Sequence, residues 1–225
     1  MLKKHLTLIT ALILTLVCFG QQNGKAYYYT KSAEHAKTNS NTDDSSLRDM
    51  EFVLTFTKDL AKYELKDGIS LKTEDKLALI FSGYAGPYFF DFENTDVYRI
   101  EEDYLIQKKA NSIKWTLTKE KLKLNGFTCF KATAELEFRN RSRVFTKPVV
   151  AWYTPELSIN AGPNGFCGLP GLIIQLEYRN VVTRLSKIKY SESPPKVSIP
   201  KNKDVITEEA FNLIIREIIS KRDKN

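Results

Sequence analysis

Alternation of apolar and polar side chains is the strongest constraint that this sequence places on its fold. From about Phe127 the apolar positions recur at every second residue, at Phe130, Ala132, Ala134, Leu136 and Phe138. Charged or polar residues lie between them, as expected of a strand with one face on a core and one face in water. Asn125-Gly126, just before this segment, favours a tight hairpin turn because both residues tolerate positive φ.

The same period recurs along the chain and predicts a mainly β fold. Further alternating segments lie at Phe52–Phe56, Leu77–Phe81, Tyr88–Phe92, Ile113–Leu117 and Leu172–Tyr178. Strands with one apolar face pair most readily as antiparallel neighbours whose apolar face covers a core. We therefore predict a single β-rich domain over residues 21–225, built on one curved antiparallel sheet or half-barrel.

The end of the chain has helical spacing instead. Five apolar residues share one stripe of a helix, namely Phe211, Ile214, Ile215, Ile218 and Ile219. Thr207 is a suitable N-cap for it, and acidic residues follow where the helix dipole favours them. We predict a C-terminal helix at 207–222 packed on the sheet, which makes the fold class α+β, mainly β.

The first twenty residues, 1–20, have the pattern of a secretory signal peptide. Lys3 and Lys4 precede an uncharged apolar run, Leu6–Phe19, and a small glycine follows it. The run is shorter than the ~20 apolar residues needed to span a bilayer. Two alternatives stay open: acylation of Cys18, against which the bulky valine before it argues, and an uncleaved segment. The expectation is export to the periplasm or cell envelope, or secretion.

Removal of the signal peptide would leave two cysteines, Cys129 and Cys167. In an oxidising compartment an even pair favours a disulfide, which contributes about 3 to 4 kcal/mol in the chain-entropy model. The alternative is two small buried apolar side chains. Thiol titration distinguishes them.

The charge balance argues against a nucleic-acid partner. The formal charge of +7 falls to +5 without Lys3 and Lys4, because 32 of the 34 basic residues then face 27 acidic ones. Lysines are spread along the sequence rather than clustered, which is typical of a solvated surface. Weak attraction to anionic lipid or polysaccharide stays open.

Familiar catalytic and metal-binding patterns do not fit this chain. Cleavage would leave one histidine, His35, inside a polar segment at 31–46 that we predict to be a mobile loop. We therefore expect no histidine-based triad, no zinc site and no cofactor. Acidic residues gather at Asp91, Glu93 and Asp96. They could attract calcium or supply a carboxylate-based hydrolytic site, but a solvated strand end is the simpler interpretation.

A Gly/Pro-rich connector begins at Trp152 and runs into a late apolar strand. Four of the chain's ten glycines recur at every third residue there, at Gly162, Gly165, Gly168 and Gly171. Four triplets are too few for collagen, and the spacing is not that of a phosphate-binding loop. Either the apolar residues of the connector seal the core, or they and nearby aromatic residues form the rim of a ligand pocket. The candidate rim residues are Trp152, Tyr153, Phe166, Leu169 and Pro170.

The connector also carries a family resemblance. Ala151–Glu156, then Gly162-Pro163, then Gly168-Leu169-Pro170-Gly171-Leu172-Ile173, resemble the signature of the GLPGLI family of exported Bacteroidota proteins. Similar segments at Ile113–Trp115, Gly126–Thr133 and Pro200–Glu209 extend the resemblance over nearly the whole mature chain. Ser158, where the family often has proline, and a longer hairpin at Arg139–Val149 are departures. The resemblance implies compartment and fold, and it supplies no activity or catalytic residues.

We therefore expect an exported cell-envelope module that is not an enzyme. Its partner would be an apolar or amphipathic small molecule or lipid, or an envelope protein such as one of the outer membrane. The alternatives are a hydrolase with a carboxylate-based site and a structural or assembly protein that has no ligand. A cavity beside Leu169 would favour binding, whereas a cleft with two facing carboxylates would favour hydrolysis.

Overall fold

The computed structural model describes residues 23–32, 50–66, 79, 82–139 and 144–222. These residues form one open, curved sheet followed by a C-terminal helix, which confirms the mainly β, α+β fold. The predicted signal peptide at 1–20 lies outside the described residues. Most of the polar segment predicted as a loop at 31–46 lies outside them too, and its first two residues end a strand.

Twelve strands make up the sheet in the described part of the chain. Numbered along the chain, they are β1 (Asn23–Ser32), β2 (Glu51–Phe56), β3 (Leu60–Leu65), β4 (Tyr88–Asp91), β5 (Asp96–Glu101), β6 (Tyr104–Lys109), β7 (Thr116–Leu124), β8 (Phe127–Arg139), β9 (Val144–Thr154), β10 (Leu172–Tyr178), β11 (Val181–Ser191) and β12 (Asp204–Thr207). Their order across the sheet is β12-β6-β5-β4-β3-β2-β1-β11-β10-β9-β8-β7. Neighbours are antiparallel except that β12 lies parallel to β6 at one edge.

Tight turns join several of these strands as the sequence predicts. Asn125 and Gly126 have φ of 51° and 86° between β7 and β8, so both use the left-handed region that the hairpin needs. Arg179 and Asn180 do the same between β10 and β11, with φ of 53° and 61°. The strand predicted at Leu77–Phe81 is wrong at Leu79, which is helical; the rest of that segment lies outside the described residues.

The face of β1 that carries Tyr28 is here called the inner face of the sheet. Tyr28 is fully buried and pairs with Leu185, and two residues earlier in β11 Thr183 pairs with Leu176. Because side chains alternate along a strand, Tyr28 and Leu176 point to the same face. The buried apolar residues form two packed clusters. The β1–β5 cluster is centred on those strands and also includes Cys129 of β8 and Leu172 of β10, and the β8–β10 cluster includes Ala151 and Leu176.

The C-terminal helix, Glu208–Arg222, lies against the β12 and β6 edge of this sheet. Its first turn is capped as predicted, since the backbone N–H of Ala210 donates to Oγ1 of Thr207 at 3.2 Å. The Phe211 ring is its main anchor, with its centre 6.3 Å from that of Tyr104. Further along the helix, Leu213, Ile215 and Ile218 are exposed. The middle of the inner face is covered by the connector.

Candidate functional site

The connector between β9 and β10, residues 155–171, folds back onto the inner face. Ile173, which follows it in β10, donates its backbone N–H to the carbonyl of Ala161 at 3.1 Å, and Leu172 donates to Leu157 at 3.2 Å. A short 3-10 turn at Pro163–Gly165 reaches strands β3, β4 and β5 on the far half of the sheet. The connector thus joins the two halves of the core.

Two glycines show why this path needs residues without a side chain. Gly171 has φ of 135°, and a Cβ there would lie 1.9 Å from the carbonyl oxygen of Thr154. Gly165 has φ of 74°, and a Cβ there would lie 2.4 Å from the ring of Tyr88. Both combine a backbone conformation that other residues rarely adopt with a contact closer than any Cβ can make. The glycine pattern is therefore explained by packing.

Side-chain hydrogen bonds hold the part of the connector between Asn160 and Gly168. Nε1 of Trp115 donates to the carbonyl of Cys167 at 2.8 Å, and Nδ2 of Asn164 donates to the carbonyl of Ser82 at 2.9 Å. The backbone N–H of Gly168 donates to Oδ1 of Asn160 at 2.7 Å. Because buried polar groups must find partners, these bonds fix where the connector lies.

The five candidate rim residues do not come together as one rim. Phe166, Leu169 and Tyr153 are buried in the β8–β10 cluster, and Leu169 is only 1% exposed. Trp152 points away from its neighbour Tyr153, because adjacent residues of a strand face opposite sides, and Pro170 is exposed. The position beside Leu169 is filled by protein, with the Phe166 ring 5.2 Å from that of Tyr178.

Cys129 and Cys167 are both free in this structure, so the predicted disulfide is absent. Both are buried in the β1–β5 cluster, and each thiol lies near a different carbonyl: Phe127 at 3.8 Å and Ala110 at 3.4 Å. Burial raises the pKa of each thiol from 9.0 to about 11. Near neutral pH both thiols are protonated, so neither is a ready nucleophile.

A cleft of about 150 Å³ opens beside the connector, at the turn between β4 and β5. Its apolar floor includes Phe90 and Val97, both 1% exposed. The connector contributes Ser158 and Asn160 to one wall, and the β4–β5 turn contributes the opposite wall. The full lining consists of Lys58, Phe90, Asp91, Phe92, Thr95, Asp96, Val97, Ala110, Ser158 and Asn160.

Asp91 and Asp96 are both among the residues that line this cleft. Asp91 and Asp96 are direct cross-strand partners, which brings their Cβ atoms to about 5 Å. Asp96 is 4% exposed, and it is the one charged residue that is buried among the residues that the structure describes. Its Oδ2 accepts from Nε2 of Gln107 at 2.9 Å, and its Oδ1 lies 2.8 Å from Nζ of Lys109. A buried carboxylate needs such partners because desolvation disfavours its charge.

The second carboxylate has different surroundings. Asp91 is half-buried, and its two oxygens accept from the backbone N–H and the Nδ2 of Asn94, at 3.0 and 2.8 Å. Burial, followed by the charge of Asp96, raises the pKa of nearby Tyr98. A carboxylate has about four lone-pair positions, so each aspartate retains capacity to accept from an incoming donor.

Sequence reasoning found the two aspartates but interpreted them as a solvated strand end. It missed Ser158, Asn160 and Lys58, which belong to the cleft only because the connector and the β2–β3 turn fold beside β4 and β5. Asp91 and Asp96 do flank a Phe-Glu-Asn-Thr turn, and two aspartates on either side of a short turn were the available signal. Within the described ranges, no group of three or more His, Cys, Asp or Glu side chains could hold a metal ion.

A family model described as "Protein of unknown function (Porph_ging)" matches residues 136–175. The matched stretch contains Ala151–Glu156 and the Gly168–Ile173 hexapeptide, and it ends just inside β10. No curated protein matches the chain. Among its described residues the chain has no helix that is long and apolar enough to cross a membrane.

Solved structures with a similar fold include two crystal forms of a protein described as PNGF-II. The form in the P21 space group has a TM-score of 0.51 at 15% identity over 86% of this chain, and the form in C2 has 0.53 at 14% over 85%. This chain spans about a third of the length of those chains, 33% and 32%. At this identity the similarity concerns the fold alone.

Proposed function

We propose that this chain is an exported cell-envelope module, of the GLPGLI type, that binds one end of an amphipathic ligand or envelope partner in the Asp91–Asp96 cleft. One observation supports this site above others: a cleft that opens to solvent combines the buried floor residues Phe90 and Val97 with the polar lining residues Asp91, Asp96, Ser158 and Asn160. An apolar floor with a few convergent polar groups is the usual composition of a ligand site. The leader-like residues 1–20 support export.

The size of the cleft limits what can enter. A cavity of about 150 Å³ accommodates a group the size of a benzene ring. Pockets for whole drug-sized ligands are larger, at roughly 300 to 1,000 Å³. The cleft therefore takes one ring or one side chain, with hydrogen-bond donors such as hydroxyl or ammonium groups directed at Asp91 and Asp96. The rest of the ligand stays outside.

Native mass spectrometry of the full chain purified from the envelope fraction tests this proposal. We expect a co-purifying ligand, or a partner recovered by crosslinking, whose occupancy falls about tenfold in Asp91→Asn because a hydrogen bond to a charged group is lost. Asp103→Asn is the matched control, since it removes the same charge from an exposed residue outside the cleft. Equal occupancy in both variants, or no ligand and no partner, would overturn the proposal.

A chemical block gives an independent measurement. Both thiols in the described part of the chain are buried, so Ser158→Cys introduces an exposed thiol at the cleft wall. Labelling it with a bulky maleimide should abolish binding, and labelling Ser193→Cys, an exposed position outside the cleft, should leave binding intact.

A hydrolase is the second candidate, and the cross-strand pair of carboxylates, Asp91 and Asp96, favours it. Acid–base catalysis needs two carboxylates in different environments, and Asp96 is buried whereas Asp91 is half-buried. Turnover of chromogenic glycosides or esters that disappears in both Asp91→Asn and Asp96→Asn would favour hydrolysis. A wild-type rate equal to the rate without protein would eliminate it for those substrates.

A further inference from the structure

The face of the sheet opposite the core, here the outer face, carries a group of lysines that the cleft does not use. Lys25 and Lys189 are direct cross-strand partners on β1 and β11, and Lys187 is the partner of Tyr27. All three lysines are exposed. Nζ of Lys187 and Nζ of Lys189 lie 5.2 and 5.9 Å from the centre of the Tyr27 ring. These four residues form the lysine patch.

The patch concentrates positive charge without an acidic counterpart. Like charges placed directly opposite each other destabilise an antiparallel pair. Among the described residues none of the three lysines has an ion pair, and Glu64, on the same face, is paired with Lys62 at 2.5 Å. The Tyr27 ring offers cation–π attraction, which at an exposed site is weak. An external anion would relieve the remaining repulsion.

The position of the patch along the chain indicates which anion is near. The apolar run Leu6–Phe19 ends only six residues before Lys25. At most ~3.6 Å per residue, that segment spans roughly 20 Å. If the run is retained in a bilayer, or if Cys18 is acylated, Lys25 is therefore held close to the lipid headgroups. If cleavage follows Gly20, the new amino terminus adds a further positive charge close to Lys25.

We propose that the lysine patch docks this protein on the anionic headgroups of a membrane surface. The three lysines lie side by side on one face of two strands, so they contact neighbouring headgroups at the same time. Each basic residue at an anionic surface raises affinity about fivefold, so three raise it roughly 100-fold. The proposal rests on the export proposed above and is independent of the cleft.

Co-sedimentation of the full chain with lipid vesicles tests the patch. The test variant is the triple substitution Lys25→Gln, Lys187→Gln and Lys189→Gln. The matched control removes the same charge at exposed lysines elsewhere, with Lys119→Gln, Lys123→Gln and Lys201→Gln. A charge-preserving triple arginine variant at 25, 187 and 189 checks that charge is responsible, and thermal melting confirms that each variant folds.

We expect the test variant to bind vesicles of 30% phosphatidylglycerol in phosphatidylcholine at least tenfold more weakly, with the difference removed by high salt. The control triple should change binding less than twofold, and pure phosphatidylcholine should not distinguish any variant. Equal losses in the test and control triples would overturn the proposal. So would an equal loss of binding to dextran sulfate without lipid, which would favour a polysaccharide partner. Ligand occupancy of the cleft should stay unchanged in the patch variants. Failure of the membrane-docking proposal can therefore be distinguished from failure of the cleft-binding proposal.

Discussion

The two parts of the connector differ in their surroundings: its later part is packed into the core, whereas its earlier part forms a wall of the Asp91–Asp96 cleft. From Phe166 to Gly171 the connector buries its apolar side chains Phe166, Cys167 and Leu169, the last at 1% exposure, and exposes Gly168 and Pro170. A few residues earlier, Ser158 and Asn160 face the cleft and remain exposed. The buried part is held by contacts that leave no room for a ligand, whereas the exposed part supplies a wall with hydrogen-bonding groups.

The Gly168–Ile173 hexapeptide and the candidate site in the Asp91–Asp96 cleft are therefore different parts of the molecule. The hexapeptide contributes shape, since its glycines permit close approach and its leucines fill the core. The cleft owes its chemistry to two aspartates from another part of the chain. The motif therefore helps to position the wall of the candidate site, while its own leucines are buried in the core.

The largest effect should come from a methyl group added at the tightest point of the connector. Gly171→Ala would place a Cβ 1.9 Å from the carbonyl oxygen of Thr154, at a φ of 135°. We expect a loss of about 4 kcal/mol or more in the free energy of unfolding, measured with urea, or failure to fold.

Gly126→Ala is the control for Gly171→Ala. Gly126 also has positive φ, at 86°, but a Cβ there would meet nothing within 4 Å. Its cost should be about 1 kcal/mol, from backbone conformation alone. Similar losses for the two substitutions would show that close packing does not explain Gly171.

Truncation of Leu169 should have the next largest effect and separates packing from binding. Leu169→Ala removes a fully buried side chain, so we expect a loss of about 3 kcal/mol in unfolding free energy. Leu213→Ala, at a residue that is 62% exposed on the helix, should cost less than about 0.5 kcal/mol. If Leu169→Ala instead left stability unchanged and weakened ligand binding, the connector would be a pocket rim.

The smallest effect concerns the two thiols and appears at alkaline pH. A thiol pKa raised from 9.0 to about 11 by folding means that the unfolded chain loses its proton first. The contribution of the two buried thiols to the free energy of unfolding is therefore fully present below pH 9 and is lost as the pH rises toward 11. The expected loss at pH 10 is about 1.4 kcal/mol per thiol.

The double variant Cys129→Ala, Cys167→Ala provides the control, because it should lack this decline between pH 8 and 10. Titration with a thiol reagent completes the measurement: both thiols should react only after unfolding. Protein from an oxidising compartment with no titratable thiol would instead have the disulfide that the sequence suggested.

The sequence predicted the regular parts of this fold well, because they depend on local patterns. The alternation from Phe130 to Phe138, the Asn125-Gly126 turn and the Thr207 cap each involve residues close in the chain, and each was found. Leu79 was mispredicted because a short apolar segment fits a helix and a strand equally well. The parallel pairing of β12 with β6 could not be predicted, since it depends on a long connection from β11.

The sequence by itself determined the mainly β fold, the terminal helix and the glycine-rich connector, because periodicity and backbone freedom are properties of neighbouring residues. Only the tertiary structure decided what these parts do together. It filled the space beside Leu169, brought Ser158 and Asn160 to the same cleft as Asp91 and Asp96, and brought Lys25 beside Lys187 and Lys189. Those contacts join residues far apart in the chain, and their formation depends on how the whole sheet curves and pairs.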